Sequence, residues 1–373
     1  MSLTGIPFLV LLVVLTALAV AAAFLLWGRL RGPLWLRGAV RLLMILFCQL
    51  TAICVVAVWI NNSYGLYSSW TDLLGEDNGT ATAAMPGPPA SLAKFTRGTD
   101  GVLDTYFRGA HSKLSGQVLV WTPPQYGKAA YRTSRFPVVM LLHGVPGSPD
   151  SWLEGGGIPG VVTKLIDQRK VHPFILVMPV INPGGIDTTC SNTPERKVAT
   201  WLTQDVPTLV KSQFRVLTDS RAWGLLGIST GGFCAAKLPL QYPDVFRYGA
   251  AMDPDPFTGD ASALPDPQLR QRNSPLHLAR TTRAPIALYL LTTVQDRFSR
   301  PANLYALRDV VQYPGTVSVT VLPTGGHNWG TWERMYPAVF PWLSRHLEPP
   351  HTLAPPRKTP ASAKELTAPE TRS

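Results

Sequence analysis

From Pro7 to Trp27 the chain reads PFLVLLVVLTALAVAAAFLLW, twenty-one residues without a charge. At a rise of roughly 1.5 Å per residue such a run crosses the hydrocarbon core of a bilayer, and no water-exposed fold accommodates it. A second apolar span, about Leu42 to Ile60, follows after a short link. AVAAA offers small residues to a leader peptidase, but a cleaved leader would carry Lys or Arg ahead of its apolar run, and none precedes Pro7. The pattern predicts a two-helix transmembrane hairpin over residues 1–62. Arg29, Arg31, Arg37 and Arg41 lie in or beside the link. Basic residues are retained on the cytoplasmic side, so the link is expected inside and the large C-terminal part outside. Trp59, Tyr64, Tyr67 and Trp70 would form an aromatic belt at the outer interface. Gln49 and Thr51 are expected to be helix-packing positions.

The formal net charge is +11 with a pI near 9.7. Part of that excess is the arginine link. No basic run interleaved with aromatics tracks a phosphate backbone, which excludes a nucleic-acid partner and leaves attraction to an anionic membrane surface. Of four cysteines, Cys48 and Cys54 fall in the second span. Cys190 and Cys234 are the two in the outer domain, where an oxidising compartment permits a disulfide between them. No ligand cluster or phosphate loop points to a metal or an organic cofactor.

Residues 63–100, with NGTATAAMPGPPAS at their centre, read as a linker, and Asn61 and Asn78 open glycosylation sequons. Residues 101–347 carry alternating strand and helix patterns. VLDTYF, QVLVW, FPVVMLLHG, PFILVMPV, AWGLLGI, FRYGAAMD, APIALYLLTT and VSVTVLP are the strand candidates. Helical patterns cover about 158–169 and 199–214. Such alternation predicts an α/β fold with a mostly parallel sheet covered on both faces. Residues 348–373, rich in Pro, Thr, Ala and charge, read as a disordered tail.

Within this domain WGLLGISTGG runs a strand into a Gly-rich turn with Ser229 at its centre. That G-x-S-x-G spacing describes a nucleophile elbow, which lifts a serine hydroxyl above the end of a sheet. A hydroxyl becomes a useful nucleophile when a base takes its proton and a carboxylate orients the base. In chain order Ser, acid, His, the base is His327, in a Gly-rich loop straight after the last strand. The acid is Asp296 after APIALYLLTT, with Asp253 and Asp255 of AAMDPDPF as alternatives. Oxyanion donors are expected from the backbone N–H of Thr230 and of Val145, with Gly144 the alternative to Val145. His143 is expected to be structural. Trp152 is read as lining an acyl pocket or as a core residue.

VVMLLHGVPGSPDSWLEGG, FILVMPVIN, ATWLTQDVPTLVKSQF, GISTGGFCAAKLPLQYPDVFRYGAAMD and GGHNWGTWERMYPAVFPWL together resemble the esterase D family, which includes S-formylglutathione hydrolases and antigen 85 mycolyltransferases. The resemblance implies an α/β-hydrolase fold, with the triad on Ser229, Asp296 and His327 and the oxyanion donors on Val145 and Thr230. It departs in two ways: antigen 85 enzymes use a glutamate as the acid and have no membrane hairpin. Together with the hairpin, the resemblance gives a membrane-anchored extracytoplasmic serine esterase that hydrolyses a carboxylic ester through an acyl-enzyme. A lipid or cell-envelope component is one candidate substrate among those the sequence leaves open. An acyltransferase using the same acyl-enzyme is the alternative, and a non-catalytic binding module is the third class.

Overall fold

The computed structural model describes residues 6–64, 88–98 and 101–352. Helices α1 (Ile6–Leu26) and α2 (Leu34–Tyr64) are long and apolar enough to cross a membrane. They pack against one another. Arg41 donates to the carbonyl of Trp27 at 3.1 Å and lies 5.0 Å from its ring centroid, which holds the link against the start of α2. Thr51 is buried, but Gln49 is exposed, so only the first fits the packing role expected of both. Tyr67, Trp70 and Asn78 lie outside the described residues.

The C-terminal part is built on one nine-stranded sheet. Its strands are β1 (Thr96–Arg97), β2 (Leu103–Arg108), β3 (Ser115–Trp121), β4 (Val138–Leu142), β5 (Ile175–Pro179), β6 (Trp223–Ile228), β7 (Tyr248–Met252), β8 (Ala287–Thr293) and β9 (Thr316–Leu322). The spatial order is β1-β2-β3-β5-β4-β6-β7-β8-β9, antiparallel from β1 to β5 and parallel from β5 to β9. This is the α/β-hydrolase architecture. The strands VVMLL and ILVMP are buried throughout because helices cover both faces. Val139, Leu141, Leu176 and Met178 pack beneath α3 (Ile158–Asp167) and a long C-terminal helix. Their neighbours Val138, Met140, Ile175 and Val177 point to the opposite face, beneath α4 (Val206–Gln213) and α5 (Thr230–Gln241). The C-terminal helix, α6 (Trp329–His346), contributes Trp332, Tyr336 and Phe340 to the first of these cores.

Two boundaries differ from the compositional reading. Pro89 bridges to Arg108, and Thr96 and Arg97 pair with Asp104 and Leu103, so the sheet starts inside the stretch read as linker. Beyond the domain end read at 347, Glu348 pairs with Arg221 at 3.0 Å and His351 bridges to Arg135. Prolines and polar residues hid both segments, whose order comes from backbone pairing with distant chain.

Register sets where chemistry can occur. Leu142 pairs with Gly227, Ile228 with Met252, and Met252 with Leu291. The carboxyl ends of β4, β6, β7 and β8 therefore open on one rim. β4 runs between β5 and β6, so the chain winds outward in opposite directions from it. That reversal is the topological switch point at which ligands bind in open α/β sheets.

Candidate active site

Ser229 sits between β6 and α5 with φ 52° and ψ −123°, a conformation that L-residues rarely adopt. The flanking glycines make it possible. A Cβ on Gly227 would fall 1.9 Å from the carbonyl of Gly231, and one on Gly231 would fall 2.0 Å from the carbonyl of Leu142. The turn is held by Ser229 N–H donating to Met252 O (3.1 Å) and Asp255 N–H donating to Ser229 O (3.2 Å). The N-terminus of α5 begins at Thr230, so its free N–H groups open beside the hydroxyl.

His327 precedes α6 in the loop after β9, and Asp296 lies in the loop after β8. His327 Nδ1 is 2.8 Å from Asp296 Oδ2. A carboxylate accepts there, so Nδ1 carries the proton and Nε2 is left as the basic atom. Asp296 Oδ1 accepts from the N–H groups of Phe298 (2.7 Å) and Ser299 (2.9 Å). Thr293 Oγ1 ties the two loops together, accepting from Asp296 N–H at 3.0 Å and donating to Gly325 O at 2.6 Å. Burial alone would raise the pKa of Asp296, but the bonds from His327 and the two amides outweigh it and hold it below the usual range. Burial likewise pulls His327 down, and the bond and charge of Asp296, with the charges of Asp253 and Asp255, carry it above 6.5.

The other two aspartates take different places. Asp253 is fully buried at φ 42° and accepts from Trp332 Nε1 at 2.8 Å, while its Oδ1 has no partner. Burial, and then the charge of Asp296, push it up to about 7. One donor atom each from Asp253, Asp296 and His327 lies within 4.8 Å of the others. The direct imidazole–carboxylate bond makes this trio a proton-handling group. Asp255 bonds the nucleophile itself: Ser229 Oγ donates to Oδ1 at 3.2 Å and Thr230 Oγ1 to Oδ2 at 2.6 Å. Chain order in the sequence placed Asp255 among the candidate acids, but it carried no signal of that contact.

Gly144, Val145, Ser229, Thr230 and His327 line one cleft of about 1070 Å³. His143 beside it is fully buried and bridges Gly144 O (2.6 Å) and the Ile181 N–H (3.1 Å). Burial lowers it to about 4, so it is a neutral brace for the Gly144–Val145 turn. Trp152 does not line the cleft. It is fully buried, packed edge-on against Trp329 at 5.5 Å, and Trp329 and Trp332 form the aromatic wall in its place. Helical spacing at the start of α6 was the available signal.

Cys190 and Cys234 are joined, with Cα atoms 5.8 Å apart. Three residues on from Cys234, buried Lys237 donates to Thr189 O (2.7 Å), Cys190 O (2.8 Å) and Ser191 Oγ (2.8 Å). Burial lowers this lysine to about 7. One helix face thus clamps the loop whose preceding residues, Gly185, Ile186 and Asp187, wall the cleft. A lysine inside GGFCAAKLPL reads as helix surface in the sequence, and only the fold shows it buried.

Residues 113–343 match the Esterase family model. The chain belongs to the esterase family. It is 29% identical over 134 residues to an uncharacterized protein of Corynebacterium glutamicum, a match covering 36% of this chain and 30% of that protein. The chain thus spans less than a third of that relative's length. Among solved structures, a ferulic acid esterase aligns with TM-score 0.56 at 18% identity, covering 66% of this chain and 98% of its own. An S-formylglutathione hydrolase from Agrobacterium tumefaciens aligns with TM-score 0.55 at 17% identity, covering 68% and 99%. At such identities these two likenesses speak for the fold.

Proposed function

We propose that the protein is a membrane-anchored serine esterase whose catalytic domain faces the outside of the membrane and cleaves its substrate through an acyl-enzyme. The observation that carries the reading is the His327–Asp296 bond, on the same rim as an elbow serine. Asp296 fixes the tautomer and stabilises the imidazolium, and Nε2 of His327 takes the proton as Ser229 Oγ attacks the ester carbonyl. The N–H groups of Thr230 and Val145 receive the charge that develops on the carbonyl oxygen. His327 then returns the proton to the leaving alcohol, and water, activated by the same histidine, releases the acid. A cleft of about 1070 Å³ leaves room for an alcohol in place of that water, which would make the product a new ester. α1 and α2 support an anchor, and the arginine link and the disulfide support an outside location.

The test is to offer the purified full chain a membrane-lipid extract and follow esters by mass spectrometry. A lipid ester lost with release of free acid supports hydrolysis, and a new ester supports transfer. If the wild-type protein takes no fluorophosphonate label and consumes no ester, the catalytic reading fails. Reporter fusions at the link and at Ser373 test the topology, which is overturned if an outside-only reporter is active at the link.

A further inference from the structure

Part of the cleft wall is acidic. Asp187, Asp255 and Asp260 all line it, together with Thr258 and Ser262. Their charges are close enough to disfavour one another. Burial raises Asp187 and Asp255, and Asp260 adds to the rise of both. The cations nearby offset the wall only in part: Lys237, which lies behind it and spends its donors on the 189–191 loop, acts against the rise of Asp187, and His327 against that of Asp255, while Arg297 is exposed at the rim.

Asp255 is also held stiffly. Pro254 and Pro256 flank it, its N–H bonds Ser229 O, and Thr230 fixes its Oδ2. Its Oδ1 takes the proton-bearing side of Ser229 Oγ at 3.2 Å. On acylation Oγ loses that proton to His327 and becomes bonded to the acyl carbon, so Oδ1 loses its donor. Asp255 is half-buried at the cleft wall, and where the acyl group covers it, a donor on the substrate replaces the lost one. A group next to the new bond is within reach of an oxygen 3.2 Å from Oγ, and a substituent on the carbon adjacent to the ester carbonyl is such a group. The surrounding negative charge favours a cation there.

Building on the serine-esterase reading, we propose that the acyl group carries an ammonium on the carbon next to its carbonyl, so that the substrate class is the ester of an α-amino acid, with Asp255 as the residue that selects it. Asp187 and Asp260 extend the selection outward by attracting cations and repelling anionic acids. No change in the chemical step is required: Ser229 attacks, the alcohol leaves with the proton from His327, and the ammonium remains bound to Asp255 until water releases the amino acid.

The test compares the full chain, in detergent, on leucine methyl ester, its desamino analogue methyl isocaproate, and its α-hydroxy analogue methyl leucate. Wild-type kcat/KM should favour the amino ester over the desamino ester by roughly 10-fold or more, as a hydrogen bond to a charged group implies. Asp255→Asn should shrink that ratio by roughly 10- to 100-fold. Asp260→Asn, further from the reacting atoms, should shrink it less, and supplies the readout if Asn at 255 does not fold. A wild-type protein that takes a fluorophosphonate label but shows no preference for the amino ester overturns the proposal and leaves the esterase standing. Equal preference for the hydroxy and amino esters also overturns it, because the wall would then recognise a neutral donor. Absence of both label and turnover removes the esterase reading and this inference together.

Discussion

The loops leaving β7 and β8 each deliver an aspartate to His327, and they treat its proton in opposite ways. Asp296 accepts from the imidazole and from two backbone amides, and it stays ionised. Asp253, one strand away, is fully buried, takes the Trp332 indole and the Thr292 side chain as partners, and is pushed up to about 7 by burial and then by the charge of Asp296. Burial raises the proton affinity of both. At Asp296 the bond and charge of His327, with the two amides, overcome it, whereas at Asp253 the charge of Asp296 adds to it.

The largest expected effects set the scale against which the two aspartates are compared. Ser229→Ala should abolish fluorophosphonate labelling and cost on the order of 10⁶-fold in kcat, and His327→Ala a similar factor, because members of a triad act as a unit. Asp296→Asn should cost about 10⁴-fold, the effect of losing the tautomer-fixing carboxylate in a serine triad. Asp253→Asn should cost far less, within roughly tenfold, since its charge acts on His327 only from the side. Steady-state rates on an activated ester separate the four variants. The comparison breaks if Asp253→Asn is the more damaging of the two aspartate changes.

Stability should separate the loops with opposite sign. Asp253 has a folded pKa of about 7 against 3.8 for the free group, so the folded state binds the extra proton between those values and loses stability as pH rises through them. Asp253→Asn should therefore raise stability above pH 7, by on the order of 4 kcal/mol, and change little near pH 4. Asp296, held low, contributes stability above its unfolded pKa that is lost as pH falls through the folded one. Asp296→Asn should accordingly lower stability at neutral pH. Thermal melts of the two variants across this range should diverge in opposite directions, and parallel curves would show that the surroundings of the two carboxylates do not distinguish the loops.

Much of this was legible in the chain. The strands β4 to β8 were marked by apolar runs, because strands covered on both faces need apolar residues at nearly every position, while β2 and β9 alternate apolar and polar residues. The elbow was legible because two glycines are sterically required there. Ser, acid and His were ordered by the fold's own topology. Among Asp253, Asp255 and Asp296 the place after β8 favoured the last, but the amides and indoles that set the three carboxylates apart face them only after folding. Trp152 misled for a related reason. A tryptophan one layer behind the cleft and one lining it look alike in sequence, and only the packing against Trp329 sorts them. Lys237 was hidden in the same way, by partners 46 to 48 residues away.

The smallest expected effect is the most pointed, because it asks whether Asp253 acts on His327 through charge. His327 accepts a proton only when neutral, so kcat/KM should fall on the acid side as His327 protonates, with a midpoint above 6.5. Part of that elevation comes from the negative charge of Asp253. Asp253→Asn removes this charge, and the acid limb should move to lower pH. Trp332→Phe should move it in the same direction by less: without the indole donor, the Asp253 carboxylate is less stabilised, holds its proton to higher pH, and offers less negative charge to His327. Because both changes act through one carboxylate, the double variant should match Asp253→Asn alone. Trp332 also packs edge-on to the imidazole at 5.4 Å, which supplies the rival explanation. Additive shifts in the double variant would mean that Trp332 tunes His327 by direct packing, and the indole–Asp253 bond would then have no part in setting the proton affinity of the base.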